Sequence, residues 1–286
     1  MAIALAEAND GVIINADSAQ LYRDLPILSA APSPAELARA DHRLYNVRDG
    51  ALPCSAAQWA ELARVEIDAV HAEGRLPILV GGTGLYMRTL LDGIAPIPPI
   101  DPEVRAAIRG ACVSENYAAL TPLDPCAAAR LNPGDTSRVA RALEVVRSTG
   151  RTLASWQEES TGGIASRVEL RPLIMLPPRE WLVERCDRRF ETMVAAGAVK
   201  EVEALLARRL DPDLPVMKTI GVRELGAMVE GEWTPTQAIA AGQIATRRYA
   251  KRQYTWFAHQ PPESWPRFTE PLSDLAPALA LLGAAR

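Results

Sequence analysis

Residues 76–88, LPILVGGTGLYMR, restrict the possible folds more than any other stretch. Leu76, Pro77, Ile78, Leu79 and Val80 read as a buried strand that breaks directly into Gly81, Gly82, Thr83 and Gly84, followed by a helix start. A short apolar run ending in glycines is the pattern of a central parallel strand with helices over both faces. Glycine lets backbone come close to a ligand, and the N-terminus of the next helix offers unpaired N–H groups to an anion. Sites in open α/β sheets form beyond the carboxyl ends of strands, so Thr83 stands where chemistry is expected. A tight strand-to-helix turn with no ligand is the other reading.

Upstream, MAIALAEA reads as the second half of a helix that starts abruptly, with Gly11 closing it. Residues 12–16 form a short strand ending at Asp17 and Ser18. If the two strands are parallel, Asp17 faces the same crevice as Thr83; an N-cap or turn role is the alternative. Residues 20–40 are broken by Pro26, Pro32 and Pro34 into a loop and a short helix. Ser55 caps a helix to about Glu73, with Trp59, Leu62, Ala63, Ile67 and Val70 on its packing stripe.

From Ala95 the prolines at 96, 98, 99 and 102 make a stiff connector, and helical patterns dominate to about Glu159. Asp101-Pro102 and Asp124-Pro125 start two of these helices, and a third runs through RVARALEVVRSTG. They read as a helical insertion. Arg138 and Arg141 share a face there, by default a solvated one. Residues 168–176 read as a strand returning to the sheet, followed by a helix over about 179–209. Arg185 and Arg189 lie one turn apart on that helix, as solvated charges or as a phosphate clamp. A last helix, from about Pro235 to Phe257, ends in TRRYAKRQYTWFA, where Arg247, Arg248, Lys251 and Arg252 alternate with aromatic residues. That mixture suits an RNA backbone and an unstacked base, and an ordinary basic helix face would look similar. A short strand and helix follow.

Composition narrows the function classes. A formal charge of −4 over 286 residues argues against a generally basic coat but leaves a local basic patch open. No apolar run approaches the roughly 18 residues a membrane span needs. Cys54, Cys112, Cys126 and Cys186 are far apart and read as reduced thiols in a cytoplasmic protein, and the three scattered histidines speak against a His-based metal site.

Together the motifs VIINADSAQLYRDL, HRLYNVRDG, LPILVGGTGLYMRTLLDG, DPEVRAAI, NPGDTSRVARALEV, RCDRRFETMVAAGAVKEV, TIGVREL and AKRQYTWF resemble, in order and spacing, the bacterial tRNA dimethylallyltransferases (tRNA isopentenyltransferases). The resemblance covers almost the whole chain. It implies an α/β fold with a P-loop kinase-like parallel sheet core and a helical insertion domain. The expected organisation is core over 1–97, insertion over 98–165, and core completion with C-terminal RNA-binding helices over 166–286. The implied reaction moves a dimethylallyl group from dimethylallyl diphosphate to N6 of the adenine 3′-adjacent to the anticodon, in tRNAs reading codons that begin with U.

Carried over by motif, Asp17 is the general base and Thr83 hydrogen-bonds near the reacting centre. Arg189 matches a diphosphate-binding arginine, and Arg185 is added from its neighbouring face. The family's tRNA-contacting segments match Asp17, Ser18, Ala19 and Gln20; Ser137, Arg138, Val139, Ala140 and Arg141; and Thr219, Ile220, Gly221, Val222, Arg223 and Glu224. They also match Lys251, Arg252, Gln253, Tyr254, Thr255, Trp256, Phe257 and Ala258, together with Thr83 and Arg105. Mg²⁺ is implied as a partner of the diphosphate, with no protein metal site; the tRNA anticodon stem-loop and dimethylallyl diphosphate are the implied partners. A monomer and no membrane association are expected.

Two departures stand out. The family's loop G-P-T-x-x-G-K-[ST] and the strand before it are missing ahead of the helix that begins at Met1. A truncated chain or misassigned start codon is the first explanation, and a shortened, inactive or RNA-binding-only protein the other. The chain as it stands is expected to be severely impaired. Ala31 also replaces a lysine usual in the family. A small-molecule kinase of the same fold, a free-nucleotide prenyltransferase and a non-catalytic RNA-binding relic are the rival readings. The main reading requires Asp17 and Thr83 on the same side of the sheet.

Overall fold

The computed structural model describes residues 1–283 and divides into two units, residues 91–167 and the remainder of the chain. In the larger unit a helix, α1 (Ala2–Asn9), runs into β1 (Gly11–Asn15). Then come α2 (Pro34–Leu37), β2 (Asp41–Arg43), α3 (Ala56–Ala72), β3 (Leu76–Val80) and α4 (Gly84–Asp92), whose last two residues fall in the smaller unit. The three strands are parallel in the order β2-β1-β3. Every residue of β1 is buried, whereas Leu76 at the start of β3 is 41% exposed. The central strand is therefore β1, and β3 is an edge among the described residues, contrary to the sequence reading. Its apolar run signals partial cover by helices, not burial on both sides.

Gly11 does not close α1. Asp10 takes the left-handed conformation at the helix end (φ 48°), and Gly11 opens the strand. A Cβ at Gly11 would sit 2.5 Å from the Ile78 side chain and 3.0 Å from the Ala6 backbone, so close strand-to-helix packing demands the glycine. The α3 helix starts as expected on a Ser55–Gln58 capping box. Trp59, Ala63, Ile67 and Val70 are buried along it, but Leu62, expected on the same stripe, faces outward.

The smaller unit holds α5 (Pro102–Gly110), α6 (Val113–Leu123), α7 (Pro125–Arg130), α8 (Thr136–Thr149) and α9 (Leu153–Glu158). Asp101, Asp124 and Asp135 cap α5, α7 and α8 by accepting backbone N–H groups, and Gly150 ends α8 in the left-handed region. Its core gathers Ile108, Leu120, Ala127, Val139, Ala140, Ala142, Leu143 and Val146.

The chain then returns to the larger unit through β4 (Ile174–Met175), α10 (Arg179–Ala196), α11 (Ala198–Ala207), α12 (Val222–Val229), α13 (Pro235–His259), β5 (Arg267–Phe268) and α14 (Ala276–Leu281). The strand read over 168–176 is only two residues long. It pairs with β5 in a separate two-stranded parallel sheet rather than joining β1–β3. Pro172, Pro177 and Pro178 bracket it and cut the ladder short. The single helix expected over 179–209 is two helices, because Gly197 adopts φ 114° between them. The last three residues of the expected 166–286 segment lie outside the described residues.

Tyr22, Leu25 and Leu28 from the loop after β1 pack with Phe190, Val202, Leu205, Val216, Val222 and Leu225 into one cluster. The Glu201 carboxylate fixes that loop by accepting the Ile27 and Leu28 N–H groups at 2.8 and 2.9 Å. The Phe190 ring of α10 presses on Gly242 of α13, where a Cβ would approach the ring to 2.1 Å. This contact sets the register in which α13 crosses the unit. Gly242→Ala is expected to destabilise the protein by about 1–3 kcal/mol through overpacking. In urea melts the double variant with Phe190→Leu should lose less than the sum of the two single changes.

Candidate functional site

The site begins with Asn15, a fully buried amide at the end of an otherwise apolar strand. A buried amide must be satisfied, and this one is. Its Nδ2 donates to the carbonyls of Leu44 at 2.9 Å and Asp17 at 3.0 Å, and its Oδ1 accepts the Asp17 N–H at 2.7 Å. The Asn15 carbonyl accepts the indole N–H of Trp59 at 3.0 Å. Trp59 in turn stacks on Tyr86 with ring centres 4.6 Å apart. Backbone leaving β1 is thus bent into one defined turn, and Asp17 sits at its apex.

The parallel register brings Asn15 beside Val80, so β1 and β3 end together. Ala16 N–H donates to the Val80 carbonyl at 2.8 Å, and Thr83 N–H donates to the Ala16 carbonyl at 3.3 Å. Thr83 Oγ1 accepts the Ser18 N–H at 3.0 Å and lies 3.3 Å from Ser18 Oγ. Asp17 and Thr83 therefore follow neighbouring strand ends, linked through Ser18.

Burial pushes the Asp17 carboxyl above its ordinary value; N–H groups of Ala19 and Gln20 and the positive charge of Arg189 partly offset this. Three phenols stand within the field of Asp17. Tyr45 is pushed up to about 12, mainly by burial, and Tyr86 and Tyr249 are raised for the same reason. All three stay protonated at neutral pH. Arg189 faces Asp17 from α10, while Arg185 lies over the Trp181 ring at 4.6 Å.

The glycines of the turn serve α13 and β1. A Cβ at Gly81 would meet the Ala16 carbonyl at 2.2 Å, one at Gly82 the Gln253 amide at 2.2 Å, and one at Gly84 the Trp256 ring at 2.4 Å. Gln253 Nε2 donates to the Gly82 carbonyl at 2.9 Å. Tyr249, Gln253 and Trp256, spaced four and three residues apart, form the face of α13 that closes on the turn. Lys251, Arg252 and Thr255 on the same helix are exposed, and Tyr254 carries Arg179 over its ring at 5.0 Å. Gly221 is left-handed and its N–H donates to Glu224 Oε2 at 3.0 Å, starting α12; Val222 points into the core while Arg223 is exposed.

In the smaller unit Ser137 and Arg138 are exposed at the start of α8, but Val139 and Ala140 are in the core, so RNA could reach those two only through backbone. Arg141 is half-buried in the field of Arg105 and Arg109, and burial and these charges lower its pKa. The carboxylate beside them, Glu144, is 1% exposed and accepts the Arg109 Nε–H at 2.5 Å. Among the described residues no group of three or more His, Cys, Asp or Glu could hold a metal ion. No helix among them is long and apolar enough to cross a membrane, and all four cysteines are free.

Sequence reasoning misses Asn15 and the closure of α13 on the glycine turn through Gln253 and Trp256. A lone amide closing the apolar run VIIN is the available signal for the first; the second depends on how α13 crosses the turn.

A family model described as IPP transferase matches residues 20–260. The chain is 58% identical over 283 residues to the tRNA dimethylallyltransferase of Sphingopyxis alaskensis, spanning 98% of this chain and 92% of that protein. It is 61% identical over 268 residues to the tRNA dimethylallyltransferase of Erythrobacter litoralis, spanning 93% and 84%. The crystal structure of a tRNA isopentenylpyrophosphate transferase from Bacillus halodurans superposes with a TM-score of 0.69 at 29% identity, covering 98% of this chain and 89% of that one.

Removing the Asn15 amide leaves buried groups without partners, so Asn15→Ala is expected to cost about 3 kcal/mol in urea unfolding. Asp17 carries the opposite sign. Its folded pKa is raised, so ionising it in the native state costs stability above that pKa. Asp17→Asn should therefore unfold at higher urea concentration than the parent at pH 7. The gap should narrow as pH falls through the folded pKa and vanish below the unfolded one.

Proposed function

The chain belongs to the IPP transferase family, and from that premise we propose how its own residues carry dimethylallyl transfer to tRNA. The activity is that of a prenyltransferase, as in relatives 46–61% identical to it. The acceptor is N6 of the adenine 3′-adjacent to the anticodon in tRNAs reading U-starting codons, and the donor is dimethylallyl diphosphate. The protein acts as a cytoplasmic monomer on the anticodon stem-loop.

One observation supports this reading above the others: a desolvated carboxylate, a hydroxyl and a guanidinium converge where two parallel strands end. The adenine amine is a poor nucleophile because its lone pair is delocalised into the ring. Asp17 accepts its N–H proton as the bond from N6 to the allylic carbon forms. The carbon–oxygen bond to diphosphate breaks, and the leaving group takes the electron pair. Arg189, with Arg185 on the same helix, stabilises the charge that develops on its oxygens. Thr83 donates a hydrogen bond to the departing oxygen. The raised pKa makes Asp17 a stronger base than an exposed aspartate. When bound, Mg²⁺ would be held through the oxygens of the diphosphate and would neutralise part of their charge beside Arg189 and Arg185.

RNA enters over the basic aromatic face of α13 and the 219–224 turn of the larger unit; Ser137, Arg138, Arg141 and Arg105 are, separately, the contacts proposed on the smaller unit. Adenine must leave its stack to reach Asp17, at a cost of a few kcal/mol, and an aromatic surface repays part of it by stacking.

Single-turnover transfer of labelled dimethylallyl to an anticodon stem-loop tests this. Asp17→Ala should slow the step by about 10²–10⁴-fold relative to the parent, and Thr83→Ala by about 10²-fold. The rate should fall on the acid side with a midpoint above the ordinary aspartate value of about 3.9. Arg189→Gln removes a charge that favours the carboxylate, so it should move that midpoint to higher pH as well as lowering the rate. Parent rates in both Asp17→Ala and Thr83→Ala would refute the assignment.

A further inference from the structure

We infer that Arg109 is a further contact for an RNA phosphate on the smaller unit, aimed by the buried carboxylate of Glu144. The inference rests on the reading that RNA meets Arg105 and Arg141 of that unit. Glu144 lies on α8 between buried Leu143 and Val145 and is 1% exposed. A carboxylate in such a place carries a desolvation penalty, and an apolar residue of similar volume would pack there as well or better.

The other buried polar side chains of the smaller unit serve the backbone. Asn116 Nδ2 donates to the Ile108 carbonyl at 2.8 Å, and Asp124 Oδ1 accepts the Ala127 N–H at 2.9 Å. Glu144 instead meets a side chain that reaches the surface. Its Oε1 accepts the Arg109 Nε–H at 2.5 Å, and the Arg109 side chain is 51% exposed.

Pairing a guanidinium through Nε has a directional consequence. Arginine carries five N–H donors in one plane. Fixing the Nε–H on Glu144 leaves the edge formed by the two Nη nitrogens, whose parallel donors match two oxygens of one phosphate. A fork already tethered also loses less rotamer freedom on binding than a free one. Arg105 stands one turn before Arg109 on the same face of α5, and Arg141 one turn before Glu144 on α8. The bond between Arg109 and Glu144 brings those two faces together, so three cations are set around one carboxylate. A brace between the helices would need only one of them.

Binding of the anticodon stem-loop to the full chain, followed by fluorescence anisotropy across a salt series, tests this. Arg109→Gln combined with Glu144→Met removes both partners, leaves no carboxylate buried alone and keeps the net charge. It should bind about tenfold more weakly. The slope of log affinity against log salt should shrink by about 0.7–0.9, the share of one phosphate. Glu144→Met alone removes a negative charge, so charge by itself would tighten binding; loss of the tether should instead weaken it about threefold. Arg109→Lys keeps a cation against Glu144 without the planar fork, and should weaken binding about threefold at the salt slope of the parent. Thermal melts identify any variant that fails to fold, and Arg109→Lys then carries the test. Parent affinity and slope in the double variant, binding by Glu144→Met as tight as the parent's or tighter, or parent affinity in Arg109→Lys would overturn the inference. With Arg105→Gln weakened, that failure is confined to Arg109. With Arg105→Gln and Arg141→Gln also at parent affinity, the reading of RNA over the smaller unit fails with it.

Discussion

One buried amide organises this molecule. Asn15 closes the fully buried central strand of the sheet, and its polar atoms tie that strand to the segments around it. Through Leu44 it holds the loop after β2, and through Asp17 it bends the chain out of the sheet. Its backbone carbonyl anchors Trp59 of α3. An apolar residue here would fit the strand equally well but would leave the turn undefined. The loop it holds is itself unusual, since Leu44 and Asn46 both occupy the left-handed region at φ 63° and 53°. Backbone strain of that kind persists only when surrounding bonds over-determine it, and the Asn15 bond to the Leu44 carbonyl is one of them.

The second constraint is the crossing of α13 over the glycine turn. Phe190 against Gly242 and Trp256 against Gly84 are two aromatic-on-glycine contacts along a single helix. A helix seated by two such contacts cannot slide by a residue without a clash. The segment that carries exposed cations is therefore rigidly tied to the segment that carries Thr83. The exposed cations and the glycine turn share one mechanical element.

Much of this is legible in the amino-acid sequence alone. The strand–glycine–helix unit at 76–88, the Ser55 cap, the aspartate-capped helices of the smaller unit and the long basic helix all follow from local pattern, and they are where expected. Relations between segments are not legible in the same way. The apolar run of β3 looks like a central strand, yet the central position belongs to β1; hydrophobicity reports cover and not strand order. The glycines read as room for a ligand, but the structure fills that room with Ala16, Gln253 and Trp256. Arg185 and Arg189 look equivalent one turn apart, while only Arg189 acts on Asp17. Each of these differences arises from contacts between residues far apart in sequence.

The arginine group of the smaller unit, with its one sunken carboxylate, has a kinetic meaning. The whole protein bears a formal charge of −4, so its net charge offers a polyanion no general attraction. Around Arg105, Arg109 and Arg141 the sign reverses, because Glu144 offsets the charge of one guanidinium and leaves the excess positive. Such a local excess would act as a guide beam, accelerating encounters that bring a polyanion to this face. The gain operates over about one Debye length, roughly 8 Å at physiological ionic strength, and fades as salt is added.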